Sequence, residues 1–425
     1  MRINEVTAQE FTAFAEQHPL YSFYQTTEWA NLKHHTGWDH HYLLMSDENK
    51  SVAGCMVLVK DTPLHKKICY APRGFLIDYH NESLVAEFTR QIKAFLKQEQ
   101  GIFLKIDPPV LYREKDINGD LVPDGIDNRQ VVDTLKRLGY RHYGFGKSIA
   151  KELQPRWVFV LDLQGKDKKT LFQNFNSNTK RSIKRAESFG LEVRQMRPDE
   201  LEEFKKIMQH TADRRGFLDR SFSYYQNMME ETKEHCKIFL CFLDTKKAIT
   251  NLEQTKQSLI AKKERYEQQL KENPSHQKAI NQQNEVMRQL ASLEKKLDTT
   301  ITLQKQYGNK ITLGGSMFLQ YGKEMLYLFG GSYADFMYMN PQYLIQWYSI
   351  QYALDHGIHV YNFYGIDGHI KEDGEMHGVY EFKKGFDGKV VEYIGEFDLI
   401  IHPLYYQLYK FSFALYGKMK RIKHH

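Results

Sequence analysis

The chain has 425 residues, 41% hydrophobic and 13% aromatic, with a formal net charge of +6. That is a globular composition, too long for one simple core and suited to two domains; the mildly basic balance allows an anionic partner without demanding nucleic acid. No window reaches the ~18 apolar residues of a membrane span, the start MRINEVTAQEF lacks a secretory pattern, and four scattered cysteines make no disulfide framework, so a reducing, cytosolic chain is expected.

In chain order, "TEWANLKHHTGW" at 27–38 reads as a helix with Trp29 and Leu32 packed and Lys33 beside that face. Lys33 is either a solvated lysine or a phosphate contact. His34, His35, His40 and His41 follow, but an aromatic-rich helix end explains them as well as a metal does, and nothing nearby has ligand spacing. "VAGCMVLV" at 52–59 is a period-2 strand, "KICYAPRGF" at 67–75 a second strand ending in a glycine turn, 83–100 a helix, and "GIFLKIDPP" at 101–109 another strand. Asp107 ends that strand, at the carboxyl edge where α/β folds bind ligands; capping of the strand end is the alternative. After "LKRLGY" at 135–140 comes "RHYGFG" at 141–146, which has the spacing of a pyrophosphate loop in the wrong context and reads as a glycine-rich turn.

A helix around 198–210 leads to "ADRRGFLDRSFSYY" at 212–225, where Arg214, Arg215 and Arg220 crowd a loop before an aromatic helix. Such a cluster either clamps phosphates or pairs with surface acids. The strand "HCKIFLCFLD" at 235–244 precedes a charged segment, 245–307, that steps in apolar heptads. Ile249, Leu252, Leu259, Tyr266 and Leu270 lead to a break at Asn273-Pro274-Ser275, and Ile280, Met287, Leu290, Leu297 and Ile301 follow it. Two helices of about 40 Å would fold back as an antiparallel arm. Lys256 and Lys263 thin its seam, and its basic excess is either a solvated face or a hold on a long anion such as tRNA.

Beyond the arm the first half recurs. "LGGSMFLQ" at 313–320 matches 52–59, "EMLYLFGGS" at 324–332 matches 67–75, a helix at 341–356 matches 83–100, and "GIHVYNFYGID" at 357–367 matches 101–109. "FKKGFD" at 382–387 answers "LKRLGY", and its Lys383 and Lys384 are expected on a strand, pointing to opposite faces. This is the element order of a GNAT-type acyltransferase, given twice. The expected fold is therefore α/β: two tandem GNAT-like subdomains (1–150, then 151–244 with 308–395), a coiled-coil arm (245–307) inserted between two strands of the second, and a C-terminal segment with a basic tail (396–425). HExxH, CxxC and GxSxG motifs are absent.

As a set, "QTTEWANLK", "CYAPRGFLIDY", "LKIDPP", "QPRWVFVLDL", "NTKRSIKRAESFGL", "RRGFLDRSFSYY", "YNFYGIDG" and "GVYEFKKGFDGKVVEYIGEFD" resemble the Fem ligases nearly end to end. These are aminoacyl-tRNA-dependent transferases that build peptidoglycan cross-bridges. The resemblance implies transfer of an amino acid from aminoacyl-tRNA to an amine of a lipid-linked muropeptide precursor at the inner membrane face. No cofactor is implied beyond the tRNA co-substrate, and no metal. It implies Lys33 and Arg220 on the muropeptide phosphates with Tyr224 beside them, Lys383 as the residue essential for transfer, and Asp107 as an acidic participant; Arg214, from the arginine cluster, is a further substrate-binding candidate. Phe329 stands where several relatives have Tyr, so a hydroxyl contact there is either lost or taken over by Tyr327. A cytoplasmic enzyme, peripheral to the membrane and able to form homo- or hetero-dimers, is the corresponding expectation. The rivals are an acetyl-CoA-dependent N-acyltransferase, which the acids in the turns Asp107-Pro108-Pro109 and Gly365-Ile366-Asp367 disfavour, and a non-catalytic tRNA-binding or membrane-associated protein.

Overall fold

The computed structural model describes residues 1–48, 50–63, 65–148, 152–371 and 377–422, with side chains to residue 412. The first half contains β1 (Arg2–Glu5), α1 (Ala8–Ala15), α2 (Thr27–His34), β2 (Asp39–Asp47), β3 (Lys50–Asp61), β4 (Lys67–Ala71), α3 (Glu82–Gln98), β5 (Gly101–Ile106), α4 (Arg129–Arg137) and β6 (Tyr140–His142). The second half opens with β7 (Trp157–Asp162), α5 (Lys168–Asn174), α6 (Ser177–Ser188), β8 (Leu191–Gln195), α7 (Leu201–Arg215), α8 (Phe222–Thr232) and β9 (Cys236–Asp244). The arm, α9 (Thr245–Glu272) and α10 (Gln277–Tyr307), follows. It is succeeded by β10 (Lys310–Tyr321), β11 (Glu324–Ser332), α11 (Pro341–Asp355), β12 (Val360–Gly365), α12 (His377–Lys384), β13 (Lys389–Glu392), β14 (Phe397–Ile400) and α13 (Pro403–Ile422).

Among the described residues two seven-stranded sheets form, ordered β1-β2-β3-β4-β5-β14-β6 and, read from the matching edge, β8-β9-β10-β11-β12-β7-β13. They are the same sheet twice. In each, the only parallel pair is the one joined through a helix (β4 with β5, β11 with β12), as a crossover connection requires. The sixth position differs in origin: in the second sheet it is β7, the strand that opens that half, between β12 and β13, whereas in the first sheet it is β14 from beyond the second unit, between β5 and β6. A C-terminal segment starting at 396 is therefore not a separate piece. Phe397 pairs with Ile106 on one side and His142 on the other, so the first sheet is completed only by the end of the chain.

Three large cores result, with smaller clusters in the arm and under α13, and one of the three is shared between the units. Phe11, Phe23, Trp29 and Met56 of the first unit pack with Phe204, Tyr225, Met317 and Leu319 of the second. Burial on that scale, about 1.5–3 kcal/mol for each large apolar side chain, welds the units into one body.

The arm replaces the turn of the β9–β10 hairpin. Asp244 pairs with Lys310, and the Thr245 amide donates to the Asn309 carbonyl at 2.9 Å, so its two ends are adjacent. Its seam differs from the heptads read in sequence. On α10 the buried residues are Ala279, Val286, Leu293, Thr300 and Leu303, with Leu290 and Leu297 partly buried beside them, while Met287 is 50% exposed. The frame lies one residue earlier than a Met287-centred stripe, because β-branched Val286 faces Leu252 and Leu259. Lys256 is taken up by Glu294 across the arm at 2.9 Å.

Candidate functional site

The start of α2 is fixed by a buried amide. Gln25 accepts from the Met56 amide at 2.8 Å and donates to the Pro72 carbonyl at 2.8 Å, tying the helix to β3 and the end of β4. Thr26 caps the helix by accepting from the Trp29 amide. Trp29 packs edge-on against Phe23 and Tyr24, and the Lys33 ammonium lies 4.7 Å above its ring.

Opposite, α8 packs against α2 and Ser221 caps it by accepting from the Tyr224 amide. Arg220 precedes that cap and lies 5.3 Å over the Tyr224 ring. Its neighbour Asp219 is occupied, accepting from Tyr225 Oη at 2.7 Å and pairing with Lys205. Among the described residues no carboxylate lies within ion-pair distance of Lys33 or Arg220. Burial lowers the Lys33 ammonium from its usual range, and the Arg220 charge lowers it further. Two unpaired cations from different halves of the chain thus converge, which is a standing site for an anion.

Arg214 is not part of this pair. It sits exposed on the last turn of α7 beside Arg215, whose charge, after desolvation, lowers it. Tyr327 is also elsewhere. In the β10–β11 ladder Met317 faces Phe329 and Phe318 faces Tyr327, so Leu328 is an extra residue, a bulge that reverses the alternation. Phe329 therefore packs edge-on against Tyr224 and Tyr225, while Tyr327 stacks on Phe318 on the opposite face. A hydroxyl missing at Phe329 cannot be supplied by Tyr327. Gly330 makes room for the Tyr327 hydroxyl, which would lie 2.1 Å from an added Cβ.

Lys383 does not lie on a strand. It is on α12, where Tyr380 and Lys383, three residues apart, are the buried positions and Lys384 turns to Glu381. Only 5% exposed, Lys383 donates from Nζ to the Gly365 carbonyl at 2.6 Å, at the end of β12. Burial alone lowers its amine to about 7. Gly385 lets the helix end approach α6, since a Cβ there would lie 2.1 Å from Thr179 Oγ1. The strand β12 pairs with β11 as far as Leu326–Asn362, and beyond that point Gly365 pairs on its other side with Val158 of β7.

A residue not singled out in the sequence links the two places. Tyr364, at φ +65°, occupies a left-handed conformation that bulky residues rarely adopt. Its hydroxyl accepts from Tyr24 at 2.9 Å and donates to Gln154 at 2.9 Å. Tyr24 touches Trp29 beneath Lys33, and Gly365 next to Tyr364 holds Lys383, so a run of direct contacts joins the cation pair to the buried lysine. Behind it is a cavity of about 260 Å³ between the two units, lined by Tyr24, Arg73, Glu324, Asn362 and Tyr364. The only sequence hint was the aromatic density of "YNFYGID".

Asp107 is buried, accepts from the Arg73 amide at 2.8 Å, and has its other oxygen 3.6 Å from the Arg73 guanidinium. Desolvation pushes its carboxyl up to about 6 despite Arg73. It ties the ends of β4 and β5 together and is not open to a ligand in the turn. Of the 141–146 segment, Arg141 and His142 end β6 and the rest is a loop whose Gly146 carbonyl accepts from Arg156 and Trp157. Among the described residues no cluster of metal-ligating side chains forms: His35 pairs with Glu231 and His41 with Glu5. No described helix is long and apolar enough to cross a membrane.

The chain matches the FemAB family over residues 6–412. It is 30% identical to aminoacyltransferase FemA of Staphylococcus aureus strain MRSA252 over 424 residues, covering 100% of this chain and 99% of the relative. The same identity and coverage hold for FemA of strain N315. The solved structure of FemX superposes with a TM-score of 0.82 at 29% identity, over 96% of this chain and 99% of that one. With two GNAT-like sheets, the same length and the same fold throughout, the chain belongs to the FemAB family and is an aminoacyltransferase.

Proposed function

We propose that the enzyme transfers an amino acid from aminoacyl-tRNA to an amine of the peptidoglycan stem peptide, or of a growing bridge, on a lipid-linked precursor. The observation that carries this reading is the convergence of Lys33 and Arg220, unpaired, at the seam between the units. A diphosphate-bearing acceptor fits two such cations, with Tyr224 as a wall.

The donor is an ester and is already activated, so the reading needs no further cofactor. The acceptor nitrogen attacks the ester carbonyl carbon and a C–N bond forms. The tetrahedral oxyanion then collapses, the C–O bond to the ribose breaks, and the proton lost by the amine ends on the departing ribose oxygen. Positioning and charge stabilisation are what the protein must add. An amine lowered to about 7, as at Lys383, has both forms at hand near neutrality. The neutral form takes the proton from the attacking amine, and the ammonium returns it to the leaving oxygen. The basic arm gives the tRNA an extended surface to lie on.

The test is a donor panel. Radiolabelled amino acid on tRNA, the same free amino acid with ATP, and labelled acetyl-CoA are each offered with lipid-linked muropeptide. Label in the acceptor from charged tRNA alone supports the reading; label from acetyl-CoA, or tRNA binding without transfer, overturns it.

A further inference from the structure

The cavity of about 260 Å³ between the two units carries polar atoms that the fold itself does not use. Glu324 opens β11 and lines it. One of its oxygens accepts from Asn362 Nδ2 at 2.8 Å, and among the described residues no cation lies within ion-pair distance of the carboxylate. Tyr321, only 4% exposed, and Ser22 line the same space. Among the described residues neither Tyr321 Oη nor Ser22 Oγ has a hydrogen-bond partner. Tyr321 is held by its ring instead, 5.2 Å from Phe23 and 6.4 Å from Tyr21. Buried polar groups are almost always paired, so a carboxylate and two orphaned hydroxyls on one cavity mark a place for a ligand.

All three groups can accept a hydrogen bond, and aromatic rings form much of the wall. That is the chemistry of a site for a primary ammonium, which has three N–H donors and a charge that ring faces attract. The surrounding field agrees, since Glu28 acts on both Tyr21 and Tyr321. Of the two cations on the lining, Arg73 is engaged by Asp107 and the Pro155 carbonyl, and Lys323 is exposed in the β10–β11 turn. The volume lies below the roughly 300–1,000 Å³ of pockets for drug-sized ligands, so it suits one residue of a larger substrate.

The reaction proposed above has two amines with opposite needs. The acceptor amine must lose a proton to attack, whereas the α-amine of the donor must stay protonated or it competes as a nucleophile. A buried carboxylate favours the ammonium form, which suits the donor and not the acceptor. The cavity also lies beside the buried lysine: Tyr364 lines it, and the next residue, Gly365, holds Lys383 Nζ. We propose that the cavity seats the aminoacyl group of the donor, with its α-ammonium on Glu324, Tyr321 and Ser22. This rests on aminoacyl-tRNA being the donor. Held there, the donor amine keeps its protons while the acceptor amine gives one up.

Replacing the donor ammonium tests this. The probes are the charged tRNA that the wild-type enzyme uses and its hydroxyacyl counterpart, glycolyl for glycyl or lactyl for alanyl, in which a hydroxyl replaces the α-ammonium at nearly the same size. Wild type should prefer the ammonium donor about tenfold or more in kcat/KM. Glu324→Gln keeps an oxygen for Asn362, and should bring that ratio close to one by slowing only the ammonium donor, with acceptor KM unchanged. Tyr321→Phe removes a hydroxyl that has no partner in the free protein, so it should melt no lower than wild type and lower the ratio part of the way. It serves if Glu324→Gln proves poorly folded by circular dichroism. Equal use of both donors by wild type, a ratio that both variants leave unchanged, or a rise in acceptor KM with the ratio intact would overturn the proposal and leave tRNA dependence standing. No transfer from any charged tRNA, with label entering from acetyl-CoA, would overturn both.

Discussion

Replacing Lys383 by Met should make the protein more stable near neutral pH while slowing transfer by about 10²–10³. The side chain is 5% exposed, with one hydrogen bond, to the Gly365 carbonyl. Its amine falls from 10.5 to about 7 because burial penalises the charged form. At 1.36 kcal/mol per pH unit that gap amounts to about 5 kcal/mol of stability lost by placing the ammonium inside. The sign follows from proton counting. Between about pH 7 and pH 10.5 the unfolded chain holds the lysine proton and the folded chain has released it, so wild-type stability rises with pH across that window. Met carries no proton, so the variant lacks this rise. Leaving the Gly365 carbonyl without its donor costs about 1–3 kcal/mol and offsets part of the gain. The stability advantage of Lys383→Met should therefore be a few kcal/mol near pH 7, and should narrow by about 2 kcal/mol by pH 9. Urea midpoints for both proteins at matched ionic strength measure it, with m-values checked for constancy. A difference that does not change with pH would refute the reasoning, because it would mean that Lys383 keeps an ordinary amine.

Lys33→Ala and Arg220→Ala should each raise KM for the lipid-linked acceptor tenfold or more, the loss of a charged contact being about 1.5–3 kcal/mol, with little change for charged tRNA; equal losses toward both substrates in steady-state kinetics would point to a folding defect. Gly330→Ala should destabilise by about 1–3 kcal/mol through overpacking against Tyr327, and Tyr327→Phe should recover part of that loss in thermal melts while leaving acceptor KM unchanged. Replacing 247–305 by a short Gly-Ser link should leave the body folded, since Asp244 and Lys310 already pair. tRNA affinity should then fall and its salt slope flatten in filter binding. Unchanged affinity with a shift from dimer to monomer would make the arm an oligomerisation device.

What the sequence made legible was local. The matched strands at 52–59 and 313–320 carry their period-2 pattern on the page, and the arm ends are fixed by where the heptads begin and stop. The Lys33 helix needed only Trp29 and Leu32 to be placed. What escaped depends on partners distant in the chain. The return of β14 to the first sheet is invisible in its own short run, because only pairing decides which strands it joins. Lys383 reads as strand because aromatic and glycine residues follow it, yet α12 is set by Tyr380 and Lys383 burying together. The bulge at Leu328 moves one side chain across a sheet, and no composition signals it. Tyr364 acquires its role from Tyr24 and Gln154, 340 and 210 residues away.

Single-turnover transfer tests the central claim most directly. Radiolabelled aminoacyl-tRNA is mixed with excess enzyme and lipid-linked muropeptide, and the rate at which label enters the acceptor is compared for wild type, Lys383→Met and Lys384→Met. The account expects wild type and Lys384→Met to transfer at similar rates. Lys383→Met should be slower by about 10²–10³, with acceptor binding within a few-fold of normal. Near-normal transfer by Lys383→Met, with the loss falling on Lys384→Met, would contradict it.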